Sequence, residues 1–213
     1  MSKEMRIDFV SDVSCPWCVI GLKALEQALD NVGDVVDAQI HFQPFELNPN
    51  MAPEGQDIGE HLAQKYGASP EQRAQTSEMI RARGEQLGFE FGSRDRIYNT
   101  FDAHRLLHWA EAQGKQRDLK MALFSAYFTA GENPGSHEVL VRLAEQVGLD
   151  PVEASRILAT DTFADEVREA EQFFQRAGIN SVPAIIINQK HLISGGQPPE
   201  VFERALRDIA AQS

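Results

Sequence analysis

Hydrophobic positions follow a strand-like pattern near both ends of the chain and a helical period between them. Residues 6–10 are rich in β-branched and aromatic side chains and predict a first strand. Residues 36–45 alternate between apolar and polar positions and predict a second strand, parallel to the first. Between these runs, Leu22, Leu25 and Leu29 recur at helical spacing. The order strand, helix, strand predicts a βαβ unit at the start of the fold.

Helical signals dominate residues 56–178. Capping boxes begin at Asp57 and at Ser69, where Pro70 stands at the first helical position, and a further helix start is predicted at Thr162. Apolar residues at helical spacing mark three more segments: Ala103, Leu106, Leu107 and Ala110; Leu119, Ala122, Leu123 and Ala126; Val139, Leu140, Leu143 and Val147. This part of the chain therefore predicts a block of helices.

The strand pattern returns near the C-terminus. Residues 184–187 and 190–193 flank a turn at Asn188 and Gln189, a spacing typical of a β-hairpin. Apolar residues from 201 to 209 then predict a final amphipathic helix.

The order of these elements predicts one β/α domain that is interrupted by helices. At 213 residues, the chain is long enough for a domain with a large inserted subdomain. We predict an α/β fold in which residues 1–55 and 179–213 form the β/α domain and residues 56–178 form an inserted α-helical domain.

Composition and charge limit the classes of partner. The chain has 42% hydrophobic and 24% charged residues, typical of a soluble globular protein. Its formal net charge of −12 makes nucleic acid and anionic membranes poor partners. No window approaches the ~18 apolar residues of a membrane span, and no apolar segment of a secretion signal stands at the N-terminus. We therefore predict a cytoplasmic protein.

The only two cysteines, Cys15 and Cys18, lie between the first predicted strand and the first predicted helix. Pro16 suits the first turn of that helix. The amides and the positive dipole end of the helix stabilise a thiolate at Cys15. Cys18, one turn further along, is expected to lie beneath Cys15 and to be shielded. This is the setting that a reactive dithiol needs.

Four chemistries use a Cys-x-x-Cys pair. A zinc site needs about four ligands, and no second cysteine pair stands beside this one. Haem attachment places histidine directly after the second cysteine, where this chain has Val19. A static disulfide, or two inert core thiols, stays open. A cycling redox pair is favoured, because the pair lies in a β/α pattern without a secretion signal.

Several motifs, taken in order, resemble those of one family. They are Cys15-Pro16-Trp17-Cys18, Phe45-Glu46-Leu47-Asn48-Pro49, Asn99-Thr100-Phe101-Asp102-Ala103-His104-Arg105, Ser181-Val182-Pro183 and Gly195-Gly196-Gln197-Pro198. The first and the fourth look like those of the thioredoxin superfamily. The whole set is similar to DsbA-family oxidoreductases of the FrnE type over residues 5–210. This resemblance implies a thioredoxin-like fold with a large α-helical insertion.

The resemblance also implies functional roles. Cys15 and Cys18 would be the catalytic pair of a thiol–disulfide oxidoreductase that acts on protein or small-molecule thiols and disulfides. The residues expected to contact the substrate are Pro16, Trp17, Val182 and Pro183. Trp17 is expected to be exposed, and the Val182–Pro183 bond is expected to be cis. No metal and no cofactor is required, glutathione is a candidate co-substrate, and the protein is expected to be a monomer or a homodimer.

The main alternative function comes from the same superfamily. Glutathione-dependent isomerases and kappa-type glutathione transferases resemble this architecture, but a single Ser or Cys activates glutathione in them. They need no second thiol, so the presence of Cys18 favours the dithiol function. A non-catalytic binding module that has kept the fold is a third class.

Glu46 is either a buried proton acceptor for Cys18 or an ordinary loop acid. His104 and His108 lie four residues apart on a predicted helix and so share a face, although no third metal ligand is evident. The resemblance places the segment 99–105 over the active-site face. Its candidate substrate contacts are Asn99, Phe101, His104 and Arg105. Alternatively, these residues belong to a helix whose charged side faces solvent and contacts no substrate.

Overall fold

The computed structural model describes residues 2–212 as a mixed α/β fold built on a four-stranded sheet. Its strands are β1 (Lys3–Ser11), β2 (Val36–Pro44), β5 (Ala184–Ile187) and β6 (His191–Ser194). Their order across the sheet is β2-β1-β5-β6, with β1 and β2 parallel and the other pairs antiparallel. A second sheet consists of β3 (Gln56–Asp57) and β4 (Arg96–Ile97).

Helices cover the sheet and fill the middle of the chain. In chain order they are α1 (Pro16–Asn31), α2 (Ile58–Tyr66), α3 (Pro70–Gln86), α4 (Phe101–Ala112), α5 (Gln116–Phe124), α6 (His137–Gln146), α7 (Pro151–Leu158), α8 (Ala164–Arg176) and α9 (Pro199–Gln212). A π-helical turn, Ser125–Thr129, continues α5. No helix within residues 2–212 has the length and apolar character that a membrane crossing requires.

Strand β1 lies inside the sheet, and both of its faces are covered. Phe9 pairs with Phe42 of β2, with ring centres 5.8 Å apart, and with Ile185 of β5 on the other side. Phe9 shares its core with residues of α1 and α9, whereas Val10 packs in a separate cluster with Phe174 of α8. Burial of both faces explains why β1 shows an apolar run rather than a clean alternation.

The predicted order of elements is confirmed, and three details differ. Strand β1 begins at Lys3, earlier than predicted. The β3–β4 sheet was not predicted, because two-residue strands are too short to show a periodic pattern. Helix α8 follows Phe163, which has a φ of 64° and is the N-cap residue, so the start predicted at Thr162 is displaced by one residue.

Aromatic residues of the helical segment reach the core that holds both cysteines. Phe91 packs edge-on against Phe128, with ring centres 5.4 Å apart. Phe89, Phe124 and Tyr127 belong to the same core as Cys15, Cys18 and the buried face of α1. The helical segment therefore shares a core with the sheet. The division into residues 1–55 with 179–213 and residues 56–178 stays a prediction.

Gly84 of α3 lies where Phe91 packs. A Cβ at this position would lie 2.5 Å from two ring carbons of Phe91 and 2.8 Å from the Phe89 carbonyl oxygen. We expect Gly84→Ala to lower the free energy of unfolding by about 1–2 kcal/mol, because overpacking outweighs the ~1 kcal/mol that alanine gains over glycine in a helix. Urea unfolding of the wild type and the variant measures the difference.

The control for this prediction is Gly33→Ala. A Cβ at Gly33 would lie 3.6 Å from its nearest neighbour, the Asp30 carbonyl oxygen, which is an ordinary contact. We expect this variant to stay within about 0.5 kcal/mol of the wild type. A Gly84→Ala protein as stable as the control would contradict the tight packing of α3 on Phe91.

Candidate redox site

Cys15 and Cys18 lie where β1 ends and α1 begins. Cys15 is the N-cap residue of α1, with φ −95° and ψ 112°, and Pro16 follows at the first helical position. The Cys18 N–H donates to the Cys15 carbonyl oxygen at 3.1 Å, so both side chains project from the first turn of the helix. Cys15 is 3% exposed and Cys18 is 0% exposed, and both are free thiols. The predicted junction and the shielding of Cys18 are confirmed.

The loop before β5 faces Cys15. The Val182–Pro183 bond is cis, as predicted, and the Cys15 thiol donates to the Val182 carbonyl oxygen across 3.7 Å. Pro183 packs against α1 at Gly21, where a Cβ would lie 3.0 Å from Pro183 Cγ. Sequence reasoning missed Gly21, because a glycine within a helix does not reveal what approaches it.

Trp17 is partly buried, so the prediction that it is exposed is wrong. The guanidinium carbon of Arg83, from α3, lies 5.4 Å from the centre of the indole ring. Arg83 Nη2 also donates to the Gly196 carbonyl oxygen at 3.0 Å. A Cβ at Gly196 would lie only 2.9 Å from the Trp17 carbonyl oxygen. Helix α3 and the turn at Gly196 therefore enclose this side of the cysteine pair.

The ionisation of Cys18 depends on burial and on one lysine. Burial raises the pKa of Cys18 well above its ordinary value, and the hydrogen bond with Cys15 acts in the same direction. The ammonium of Lys120, from α5, acts in the opposite direction. Burial lowers the pKa of Lys120 itself to about 8. Sequence reasoning missed Lys120, because a lysine on an amphipathic helix is usually solvated.

Asp12, at the end of β1, is a buried carboxylate with three hydrogen-bond donors. It accepts from Ser14 Oγ at 3.0 Å and from the Leu47 N–H at 2.8 Å, and it pairs with His104 Nε2 at 3.2 Å. Burial is the largest single influence and opposes the ionisation of Asp12, but the hydrogen bond and charge of His104, together with the hydrogen bonds from the Leu47 N–H and Thr100, outweigh it, so the pKa of Asp12 lies below its ordinary value. His104 therefore anchors α4 to the end of β1.

Glu46 and Glu171 are two buried acidic residues that share one arginine. Arg168 Nη1 binds Glu46 Oε1 and, at 2.9 Å, Glu171 Oε2, and the Arg168 guanidinium lies 3.8 Å from the ring centre of Phe101. Burial, followed by the charge of Glu171, raises the pKa of Glu46 to about 7. The structure thus pairs Glu46 with Arg168, and the charges that act on the pKa of Cys18 are those of Cys15, which raises it, and Lys120, which lowers it.

The other candidates on α4 have structural partners. Arg105 is buried and donates to the carbonyl oxygens of Ile157 and Thr160, at the end of α7. His104 and Arg105 are buried, so the alternative of a solvated helix face is wrong for these two residues, and their contact with substrate stays a prediction. His108 packs on Phe163, with ring centres 5.1 Å apart. In residues 2–212, no group of three His, Cys, Asp or Glu side chains is arranged to hold a metal ion.

A sequence profile of DsbA-like thioredoxin domains matches residues 6–207. The chain belongs to the DsbA-like thioredoxin domain family. This is a family of thiol oxidoreductases, and the predicted thioredoxin-like fold with a helical insertion is confirmed.

Three relatives illustrate the similarity. YwbO of Bacillus subtilis (strain 168) is 30% identical over 207 residues, which covers 96% of each chain. The crystal structure of SCO1869 from Streptomyces coelicolor, a probable DsbA oxidoreductase, superposes with a TM-score of 0.91 at 33% identity and covers 98% of this chain and 91% of its own. A 2-hydroxychromene-2-carboxylate isomerase has a TM-score of 0.74 at 15% identity over 97% of each chain, so it shares the fold.

The raised pKa of Glu46 predicts a pH-dependent stability. Its folded-state pKa of about 7 lies above its ordinary value of 4.5. The stabilising effect of the protonated form is therefore fully present below pH 4.5 and is lost as the pH rises through 7. Glutamine keeps the shape of the side chain without titrating. As the pH rises from 4.5 through 7, we therefore expect the free energy of unfolding of Glu46→Gln to increase relative to that of the wild type.

Urea unfolding at a series of pH values measures this relative gain. Glu169→Gln is the matched control, because Glu169 lies on α8 near Glu171 and is exposed. We expect the difference between this control and the wild type to stay constant with pH. A constant difference for Glu46→Gln as well would show that Glu46 ionises in the folded state as it does in the unfolded chain.

Proposed function

We propose that this chain is a dithiol oxidoreductase of the FrnE type that exchanges disulfides with protein or small-molecule thiols in the cytoplasm. One observation carries the proposal: Cys15 and Cys18 share the first turn of α1, with Cys15 facing the Val182 carbonyl and Cys18 fully buried behind it. An attacking thiol must meet its substrate, and a resolving thiol must meet only the mixed disulfide. The arrangement supports these roles for Cys15 and Cys18, respectively.

In the reducing direction, the Cys15 thiolate attacks one sulfur of a substrate disulfide. A bond forms between Cys15 and this sulfur, the substrate disulfide breaks, and its other sulfur leaves as a thiolate. Cys18 then loses its proton and attacks Cys15 Sγ. The Cys15–Cys18 disulfide forms, and the second substrate sulfur leaves. The substrate gains two electrons and two protons, and oxidation of a substrate is the reverse sequence.

The proposed substrate contacts surround Cys15. The Val182 carbonyl, next to the Cys15 sulfur, offers an acceptor for an N–H group of an extended peptide. Trp17 offers an apolar ring surface, and Pro16 and Pro183 complete the rim. Glutathione is a proposed co-substrate, and a monomer or homodimer is the proposed assembly. The shared fold of the isomerase does not favour the glutathione-dependent alternative, in which Cys18 has no role.

Trapping experiments test the roles of the two cysteines. We expect Cys18→Ser to accumulate a covalent adduct with a peptide disulfide, because nothing resolves it. We expect Cys15→Ser to form little adduct, because Cys18 is buried. Non-reducing electrophoresis and mass spectrometry measure the adducts. Equal adduct yields from the two variants would contradict the assignment.

Turnover assays separate the three functional classes. The proposed function predicts that the wild type reduces insulin disulfides with a dithiol as electron donor and that either cysteine substitution lowers the rate by at least about 10²-fold. Glutathione conjugation or isomerisation that survives Cys18→Ser would favour the single-thiol alternative. A protein that is inactive in both assays would match a binding module.

A further inference from the structure

Lys120 of α5 is a buried lysine without an ion-pair partner. Its side chain is 1% exposed, and its Nζ lies 5.1 Å from the ring centre of Phe124 and 5.9 Å from that of Phe42. Within residues 2–212, this Nζ has no hydrogen bond and no carboxylate at ion-pair distance. Cation–π contacts replace only part of the hydration that a buried ammonium loses. The fold therefore holds a positive charge that a negatively charged ligand would compensate.

A cavity of about 110 Å³ lies between β2, α4, α5 and α8, and Lys120 lines it. Gln116 fixes the cavity walls. Its side-chain amide accepts from the Phe42 N–H at 3.0 Å and donates to the carbonyl oxygens of Phe42 and Leu107 at 3.1 and 3.3 Å. These bonds tie β2 and α4 to α5 and engage both polar atoms of Gln116. The walls are therefore preformed, and the polar groups that meet a ligand come from other side chains.

Two histidines of α4 also line the cavity. His104 is already paired with Asp12 through Nε2. The ring nitrogens of His108, in contrast, have no hydrogen-bond partner in the part of the chain that the structure describes. A neutral imidazole carries one N–H donor. Lys120 and His108 are therefore the two side chains of this cavity with donors to offer.

The remaining lining favours a ligand with one negative charge and a short carbon chain. Carbon surface comes from four residues, which are Phe42, Pro44, Leu107 and Ala170. Glu111, which also lines the cavity, is exposed at the end of α4 and adds a carboxylate that disfavours a dianion. A buried charge needs a partner of opposite charge, and Lys120 supplies one positive charge. A monoanion matches this charge, and its carbon chain matches the apolar wall.

The volume of the cavity limits the size of the ligand. A cavity of ~150 Å³ holds benzene, so one of 110 Å³ suits a ligand of about four or five heavy atoms. Acetate and propionate have this size, and each carries a single negative charge.

We propose that the cavity around Lys120 is a binding site for a small monocarboxylate such as acetate or propionate. The carboxylate oxygens accept hydrogen bonds from Lys120 Nζ and from the His108 N–H. The carbon chain packs against Leu107 and Ala170, on the apolar wall.

This site is separate from the proposed redox site. Neither Cys15 nor Cys18 lines the cavity, and the loop at Val182 does not reach it. The proposal therefore goes beyond the dithiol function and does not depend on it.

The ionisation of Lys120 supports the binding of an anion. Burial lowers the pKa of Lys120 to about 8, whereas nearby negative charges, that of Cys18 first, act in the opposite direction. The ammonium is therefore the main form at pH 7. A bound carboxylate adds a negative charge beside it in a region of low polarity, where the attraction between opposite charges is strong.

Ligand-observed NMR tests the site with sodium propionate as the probe. Saturation transfer to the propionate protons, titrated at constant ionic strength with sodium chloride, gives the dissociation constant. We expect a value in the millimolar range, because the ligand has so few atoms. Lys120→Met keeps the length of the side chain and removes the charged donor, so we expect binding to weaken by at least about 10-fold. His108→Phe keeps the ring and removes the N–H, and binding is expected to weaken by about 2–10-fold.

Three further variants serve as controls. Lys115→Met removes a charge from the partly exposed N-cap residue of the same helix, and it is expected to bind propionate like the wild type. Ala170→Leu keeps Lys120 but fills the cavity from α8, so we expect it to abolish binding. Cys15→Ser is expected to bind like the wild type. Circular dichroism verifies the fold of each variant, and Lys120→Gln replaces Lys120→Met if the methionine variant does not fold.

Competition tests the class of ligand. We expect acetate to displace propionate at lower concentration than sodium phosphate does. Stronger displacement by phosphate would contradict a monocarboxylate site.

Several outcomes would overturn the site itself. They are the absence of saturation transfer with the wild type, unchanged affinity in Lys120→Met or His108→Phe, and loss of binding in Cys15→Ser, which would place the ligand at the cysteine pair. Failure of the dithiol function is a different result, because it changes none of these expectations. It is measured by the trapping and turnover assays, which contain no carboxylate probe.

Discussion

The first turn of α1 carries the Cys18 thiol into a core that excludes water, and desolvation governs the ionisable groups around it. Burial favours the neutral forms of Cys18 and Lys120, and it also raises the pKa of Glu46. The pKa of Asp12 is lowered instead, because His104 and the hydrogen bonds from Leu47 and Thr100 together offset its burial. The ionisation of each buried group therefore depends on whether a charged or hydrogen-bonding side chain lies beside it.

The helical segment supplies most of these partners. The sheet and α1 contribute the two cysteines, Asp12 and the Val182 carbonyl, and α5 adds Lys120 to this set. Helix α4 closes the end of β1 through His104, and α3 covers Trp17 through Arg83. Aromatic side chains of the same segment complete the core around the thiols. The helical segment thus determines both the polarity around the cysteine pair and how much of the pair is accessible.

Close approach of backbones sets the shape of the site. Gly21 allows Pro183 to pack against α1, and Gly196 lies against the carbonyl group of Trp17. These contacts bring the loop before β5 and the turn after β6 to the same end of α1. A side chain at either glycine would push its neighbour away and change the distance between Cys15 and the Val182 carbonyl. The geometry at the sulfur therefore depends on two residues that carry no reactive group.

The sequence alone determined the order of strands and helices, the strand-to-helix position of Cys15 and the shielding of Cys18, because local periodicity and capping residues encode them. It did not show the β3–β4 sheet, whose strands have two residues each. Only the tertiary structure decided that Lys120 is buried and acts on Cys18, and that Glu46 pairs with Arg168. These facts depend on which helices pack over the end of β1, and such packing between distant segments leaves no periodic signal in the chain.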